Sequence, residues 1–375
     1  MMCEWNNKDS CYFKIVNFDN KKSIISFDYD DTLCQKFTSK IISGVEDSLL
    51  NLLKEYNICV FTNQLGIEKA KTTHKEVQSR LDDFTKKIFD ESVNHSITVN
   101  IQLFYSCKDD KYRKPMTGMF DLMTSLLNPI NVEYYCGDAA GRKGDFSRSD
   151  LYFANNCNLL FKTPEEVFTN SKPALNLCNN VLKSFELYKD DKWINGKLDN
   201  NRNIIDFIDE SYIDSIYKKF TQKTLVILVG PQASGKSTIA SYLSSKYNYG
   251  IVNRDTEKTK AAMKKVFKKY ESTDAINGII IDNTSNTKTS RKEWIDLLKE
   301  SERWKILFIY IDIDKVLSIH LTKYRQYIQG IKIPSVAIHS FYKNLEIPTE
   351  DEGGDIIILP NPVNKFKFNQ KMRFT

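Results

Sequence analysis

The chain has 375 residues, 41% hydrophobic and 27% charged, with a net charge of +6. That length favours two domains, each able to bury its own core, and the composition excludes a disordered or low-complexity chain. No apolar run reaches the length of a membrane span, and the opening MMCEWNNKDS lacks the basic start and apolar core of a secretory signal, so a soluble, intracellular protein with no membrane partner is expected.

In chain order, SIISFDYD predicts a strand, VEDSLLNLLKEY a helix and NICVFTN a second strand. A long charged helical stretch is expected from Ile67 to about Asp90, followed by strands in ITVNIQLFYS and VEYYCGDA. The pattern loosens near FKTPEEVF (161–168), and WINGKLDNNRN (193–203) reads as a loop. A new strand–helix alternation begins at KTLVILVG (223–230). The expected fold class is α/β: one domain over 1–170, a linker over 171–220 and a second domain over 221–375. Each is read as a mainly parallel sheet flanked by helices, with functional loops at the strand C-termini.

All eight cysteines fall in the first half, with no CxxC pair, which speaks against zinc and against a disulfide framework. Charge is uneven. Residues 221–375 carry 25 Lys+Arg against 16 Asp+Glu, whereas residues 1–220 carry 29 against 32. A basic half suits an anionic partner such as ATP or nucleic acid.

FDYDDTL (27–33) places Asp28, Asp30 and Thr32 directly behind a strand. Residues i and i+2 on an extended segment point the same way, so Asp28 and Asp30 can face one phosphate. Two close carboxylates call for a cation, and Mg²⁺ with oxygen ligands suits them. Thr62 ends the next strand, KYRKP supplies Lys114, and CGDAAGR supplies Asp138. Unaided phosphate monoester hydrolysis is so slow that catalysts supply up to about 10²¹-fold. Passing through an aspartyl-phosphate divides the barrier. On this reading Asp28 attacks phosphorus, while Asp30 protonates the leaving oxygen and then activates water. Thr62 and Lys114 hold the phosphoryl oxygens. Mg²⁺ is expected on Asp28, the Asp30 carbonyl and Asp138, with Asp145 or Asp150 steering from behind. Asn63, Gln64, Arg113 and Arg142, which adjoin these motifs, are expected to bind substrate.

GPQASGKST matches GxxxxGK[ST] between an apolar strand and a helical run, the context that makes it a phosphate-binding loop. Gly230 and Gly235 let backbone amides close on a phosphate, Lys236 neutralises β/γ oxygens, Ser237 holds Mg²⁺, and Thr238 completes the ATP site. Asp255, in IVNRDT, stands where it can orient and deprotonate an acceptor hydroxyl, beside Arg254. Asp282 ends GIIID as a Walker-B-like residue for metal or substrate. IHLTKYRQY offers His320, Lys323 and Arg325 as a lid, with Arg325 the first choice for the transferred phosphoryl group. Lys260, Lys264 and Lys268 form a stripe suited to a nucleic-acid backbone.

FDYDDTL, VFTNQLGI, KYRKPMTGMFDLM, CGDAAGRKGDFSRSD, FKTPEEVF, GPQASGKST, VNRDT and IIIDNTSN occur in that order. In this the chain resembles the polynucleotide kinase 3′-phosphatases of DNA repair from about residue 20 to 350. The resemblance implies a haloacid-dehalogenase-like 3′-phosphatase followed by a P-loop 5′-kinase, with Mg²⁺ and ATP as cofactors. It implies Asp255 as the general base on the 5′-hydroxyl, and DNA ends as substrates inside the cell, in a nucleus or at a cytoplasmic site of replication. A monomer is expected. Animal enzymes of this kind begin with a forkhead-associated domain, for which the residues before the first strand leave no room, so docking to phosphorylated scaffolds is not expected. Asp31 replaces the glycine of DxDGT. RNA end healing is the main rival; phage-type enzymes of that kind place the kinase first. A phosphatase and kinase acting on small molecules is the second, and an end-binding scaffold with dead sites the third.

Overall fold

The protein is described as a computed structural model over residues 4–169, 222–313 and 315–360. The linker expected over 171–220 lies outside the described residues. The chain divides into two units, each built on its own sheet.

The first unit contains β1 (Asn6–Lys8), β2 (Cys11–Ile15), β3 (Ile24–Phe27), β4 (Asn57–Asn63), β5 (Ile101–Ser106), β6 (Val132–Cys136) and β7 (Leu160–Lys162), ordered β1-β2-β5-β4-β3-β6-β7. The five strands from β3 to β7 pair parallel. The inner strands are buried along their length instead of alternating, as parallel strands inside a sheet are: IISF is buried at every position, as is IQLFYS. β3 lies between β4 and β6, so strand order reverses there and the C-terminal ends of these three strands open onto one crevice.

Two elements differ from the sequence reading. The residues ahead of Ile24 form an antiparallel hairpin, with β2 against β5, so the sheet is mixed at that edge. Its turn passes through Asp9 at φ 54°. The charged helix starts at His74 and ends at Asn94, later at both ends than the pattern suggests. Thr73 sets its start: the Thr73 side chain accepts the Glu76 N–H at 3.2 Å, and Glu76 Oε2 accepts the Thr73 N–H at 2.8 Å. This reciprocal cap satisfies amides the first turn leaves over.

The second unit contains β8 (Lys223–Val229), β9 (Tyr249–Asn253), β10 (Gly278–Asp282), β11 (Trp304–Asp312) and β12 (Asp355–Pro360). All are parallel, in the order β12-β11-β8-β10-β9. β8 is central, between β10 and β11, and its C-terminal end delivers the glycine-rich loop to that sheet's switch point. No helix among the described residues is long and apolar enough to cross a membrane.

Candidate functional site

In the first unit the chemistry centres on the Lys114 ammonium, which is 3% exposed and meets three partners. It donates to Asp28 Oδ1, to Asp150 Oδ1 at 2.8 Å and to the Tyr135 hydroxyl at 2.7 Å. Tyr135 in turn donates to Asp150 Oδ1 at 2.9 Å, and Asp150 Oδ2 accepts the Ala139 N–H at 3.0 Å. Burial works against the ammonium, yet Asp150 and Asp28 raise Lys114 above its ordinary value. Burial holds Asp28 well above the usual carboxylate range; Lys114 pulls it down, while Asp150 and Asp138 push it up.

Carboxylate oxygens of Asp28, Asp138 and Asp150 lie within 4.8 Å of one another. Burial, then Asp150, pushes Asp138 up to about 6. Three carboxylates against one ammonium leave surplus negative charge, and an all-oxygen donor set suits a hard divalent cation. Both Asp150 oxygens are already committed to Lys114, Tyr135 and Ala139, which leaves Asp28 and Asp138 as the side chains fitted to hold it. Thr32 ties the two strand ends together by accepting the Asp138 N–H at 3.1 Å.

Asp30 faces a second set of groups. Its Oδ2 accepts from Gln64 Nε2 at 2.9 Å, and its Oδ1 accepts the Phe37 N–H at 2.9 Å and Arg80 Nη1 at 3.4 Å. Gln64 Nε2 also reaches Thr62 Oγ1 at 2.8 Å, and Arg80 Nη2 reaches Gln64 Oε1 at 3.0 Å. Gln64 therefore orients Asp30 and Thr62. Asn63 reads the Lys114 backbone with both amide atoms, accepting its N–H at 2.9 Å and donating to its carbonyl at 3.1 Å. Both were expected on substrate, and both are occupied by the protein. Arg142 is likewise held by Asp145 at 3.0 Å and Glu165 at 3.0 Å. Asp31 adopts φ 59°, the left-handed region that the replaced glycine would occupy freely and that aspartate tolerates better than most residues.

These groups floor a cleft of about 1420 Å³ whose walls carry Lys36, Lys69, Lys71, Lys75, Arg80 and Arg113. Arg113 Nη1 is buried and without a hydrogen-bond partner among the described residues. A buried donor left unpaired is costly, and it points to an anion in this cleft.

In the second unit, Gly235 adopts φ 90° and starts the helix Lys236–Tyr247. The Lys236 ammonium donates to the carbonyls of Gly230 at 2.9 Å and Pro231 at 2.5 Å, so the loop curls around its own lysine. Burial pushes Lys236 down to about 8, with Asp282 and Asp255 opposing and Arg325 reinforcing. Those four side chains therefore share one field. Asn253 joins two of them: its Nδ2 donates to Asp282 Oδ2 at 2.5 Å, and its Oδ1 accepts the Asp255 N–H at 2.6 Å. Arg254, Asp255 and Ser237 are exposed, Thr238 and Arg325 are half-buried, and Asp282 and His320 are buried. Lys260 pairs with Glu293, which divides the expected stripe, since Lys264 is half-buried and Lys268 exposed. Sequence reasoning gave no role to Arg80, Tyr135 or Asn253; no short motif marks the first two, whereas Asn253 lies in VNRDT, two residues before Asp255.

Two phosphate-handling α/β units in one chain define a phosphatase–kinase. Residues 14–168 match the model of the polynucleotide kinase 3 phosphatase family. The bifunctional polynucleotide phosphatase/kinase of Schizosaccharomyces pombe is 30% identical, over 93% of this chain and 82% of its own length. A putative bifunctional polynucleotide phosphatase/kinase of Acanthamoeba polyphaga mimivirus is 29% identical, over 94% and 89%. The polynucleotide 3′-phosphatase of Saccharomyces cerevisiae is 31% identical over 41% of this chain and 64% of its own length. The chain belongs to the bifunctional polynucleotide phosphatase/kinase family.

Proposed function

We propose that this protein makes broken DNA ends ligatable, removing a 3′-phosphate in the first unit and phosphorylating a 5′-hydroxyl in the second. The observation that carries the reading is the buried Asp28–Lys114–Asp150 cluster at the floor of a basic cleft. Family membership supplies the polynucleotide.

In the first unit Asp28 attacks phosphorus and the P–O bond to the 3′-oxygen breaks. Asp30, held by Gln64, gives that oxygen its proton and then takes one from the water that hydrolyses the aspartyl-phosphate. Thr62 and Lys114 steady the phosphoryl oxygens, with the Lys114–Asp28 contact the one that substrate replaces. A Mg²⁺ held by Asp28 and Asp138 would neutralise charge on the phosphoryl group. Asp150 and Tyr135 keep the ammonium aimed at the phosphate.

In the second unit ATP is the phosphoryl donor. Backbone amides of the glycine-rich loop and Lys236 cradle its phosphates, and Ser237 is the side chain placed for its Mg²⁺. Asp255 takes the proton of the attacking 5′-hydroxyl, Arg325 offsets charge on the transferred group, and Asn253 fixes Asp255 relative to Asp282.

The test is a gapped duplex bearing a 3′-phosphate and a 5′-hydroxyl, incubated with the protein, Mg²⁺ and ATP beside the matching RNA. Conversion of both DNA ends, with RNA lagging, is expected. Equal or faster conversion of RNA would move the assignment to RNA end healing, and conversion of neither polymer would point to small-molecule substrates.

A further inference from the structure

Lys114 is carried by the loop between β5 and the helix Gly118–Leu127, not by a strand or a helix. A group on a loop keeps a productive geometry only where neighbouring residues fix the loop. Asn63 grips the Lys114 backbone from one side. A second hold comes from the N-terminal hairpin. β1 is exposed at all three positions, so burial does not account for that hairpin. Its side-chain bonds to the Lys114 loop gather at its turn, formed by Asp9 at φ 54° and Ser10.

The Tyr112 hydroxyl donates to Asp9 Oδ2 at 3.0 Å, and Lys111 Nζ lies 3.4 Å from the same oxygen. The Ser10 hydroxyl donates to Asp110 Oδ2, while Asp110 Oδ1 accepts the Tyr112 N–H at 3.0 Å. The Ser10 carbonyl accepts the Cys107 N–H at 3.1 Å. Tyr112 is 3% exposed and stands two residues before Lys114. The hairpin behind this turn is itself rooted on the sheet and on the long helix. β2 pairs with β5 from Cys11 to Ile15, and the Tyr12 ring stacks on Tyr105 at 5.1 Å. Trp5 Nε1 donates to Asp82 at 3.2 Å, and Lys14 Nζ lies 2.9 Å from that carboxylate. Asp82 is two residues from Arg80, which holds Asp30.

We propose that the hairpin turn is a positioning element for the phosphatase reaction: Asp9 and Ser10 brace residues 107–112 and so set the Lys114 ammonium against the phosphoryl oxygens. This rests on the 3′-phosphatase reading and deepens it. With the brace gone, Asn63 alone steadies that stretch and the ammonium meets the phosphoryl group out of line. A displacement of about 1 Å can cost on the order of a hundredfold in rate.

The experiment uses Ser10→Ala combined with Tyr112→Phe, which deletes both side-chain links and leaves the left-handed turn residue in place. On an oligodeoxynucleotide with a 3′-phosphate, kcat should fall by about ten- to a hundredfold, with KM within about threefold of the wild type. The rate of 5′-phosphorylation, read on the same preparation, should not change. Asp9→Asn keeps an acceptor for Tyr112 and tolerates the turn's φ, so its kcat should stay near the wild type's. Should the double variant melt below the assay temperature, Tyr112→Phe alone carries the comparison. A folded variant with wild-type kcat, or one altered only in KM, overturns the brace. So does an equal fall in both activities, which would mark general destabilisation, or an Asp9→Asn protein as slow as the double variant. No phosphate release by the wild type overturns the phosphatase reading, and this proposal with it.

Discussion

Lys114 and Asp150 form a buried ion pair, 2.8 Å between Nζ and Oδ1, with side chains 2% and 3% exposed. An ammonium so enclosed depends on its carboxylate neighbours, and removing one partner of a buried pair costs about 3–5 kcal/mol. Asp150→Ala should therefore lower unfolding free energy by about that amount, measured by urea denaturation. Tyr135→Phe, which deletes only a neutral hydroxyl, should cost about 1–2 kcal/mol. An Asp150→Ala protein as stable as the wild type would show that Lys114 is not sustained by this pair.

The two active sites should fail independently. Asp28→Ala removes the nucleophile and should lower 3′-phosphate release by about 10³-fold or more, the scale seen when covalent catalysts lose their nucleophile, while 5′-phosphorylation continues. Lys236→Ala should do the reverse. Both rates are read on one doubly labelled duplex, with melting temperature as the control for folding. Loss of both activities in either variant, in a protein that still melts normally, would contradict two separate centres.

How far the sequence led can be judged at Asn63 and Gln64. Their place at the end of β4 was legible, because a polar pair behind the apolar run NICVF belongs at a strand end. Their direction was not. Asn63 turns to a backbone 51 residues away, and Gln64 to Arg80 on a helix that carries no motif. Asp28, Lys114 and Asp138 were found because each terminates or adjoins a strongly patterned strand or a distinctive run. Tyr135 was hidden inside β6, where a polar atom reads as one more strand residue, and Asn253, the last residue of β9, was passed over for its charged neighbours Arg254 and Asp255. The hairpin ahead of Ile24 went unseen because β1 is three exposed residues and β2 only five.

The same limit shows in the lysine stripe, and it changes what salt should do. Each lysine on a DNA phosphate contributes about one unit to the slope of log affinity against log salt. Lys268→Ala should reduce that slope by nearly one if the stripe tracks DNA. Lys260→Ala should reduce it by much less, because Glu293 already neutralises its ammonium. Fluorescence anisotropy with a 5′-hydroxyl oligonucleotide over a salt series measures both. Equal slopes for Lys268→Ala and wild type would remove the stripe from the DNA path.

Lys236 gives the kinase site a pH signature. In the nucleotide-free fold its ammonium titrates near 8, below the ordinary 10.5, because burial outweighs the pull of Asp282 and Asp255. Between those two values the unfolded chain holds a proton that the folded chain has released. Nucleotide-free stability therefore gains a contribution as pH rises from 8 to 10.5. ATP reverses the balance: its phosphates favour the charged lysine, so binding takes up a proton once the free site has lost one. Affinity should fall by about tenfold per pH unit above 8, and proton uptake should approach one per ATP by pH 9. Titration calorimetry in buffers of different ionisation enthalpy reads both. Lys236→Arg, which stays charged, should abolish the pH dependence, whatever it does to affinity. Constant ATP affinity from pH 7 to 9.5 in the wild type would mean that Lys236 does not meet the nucleotide's phosphates.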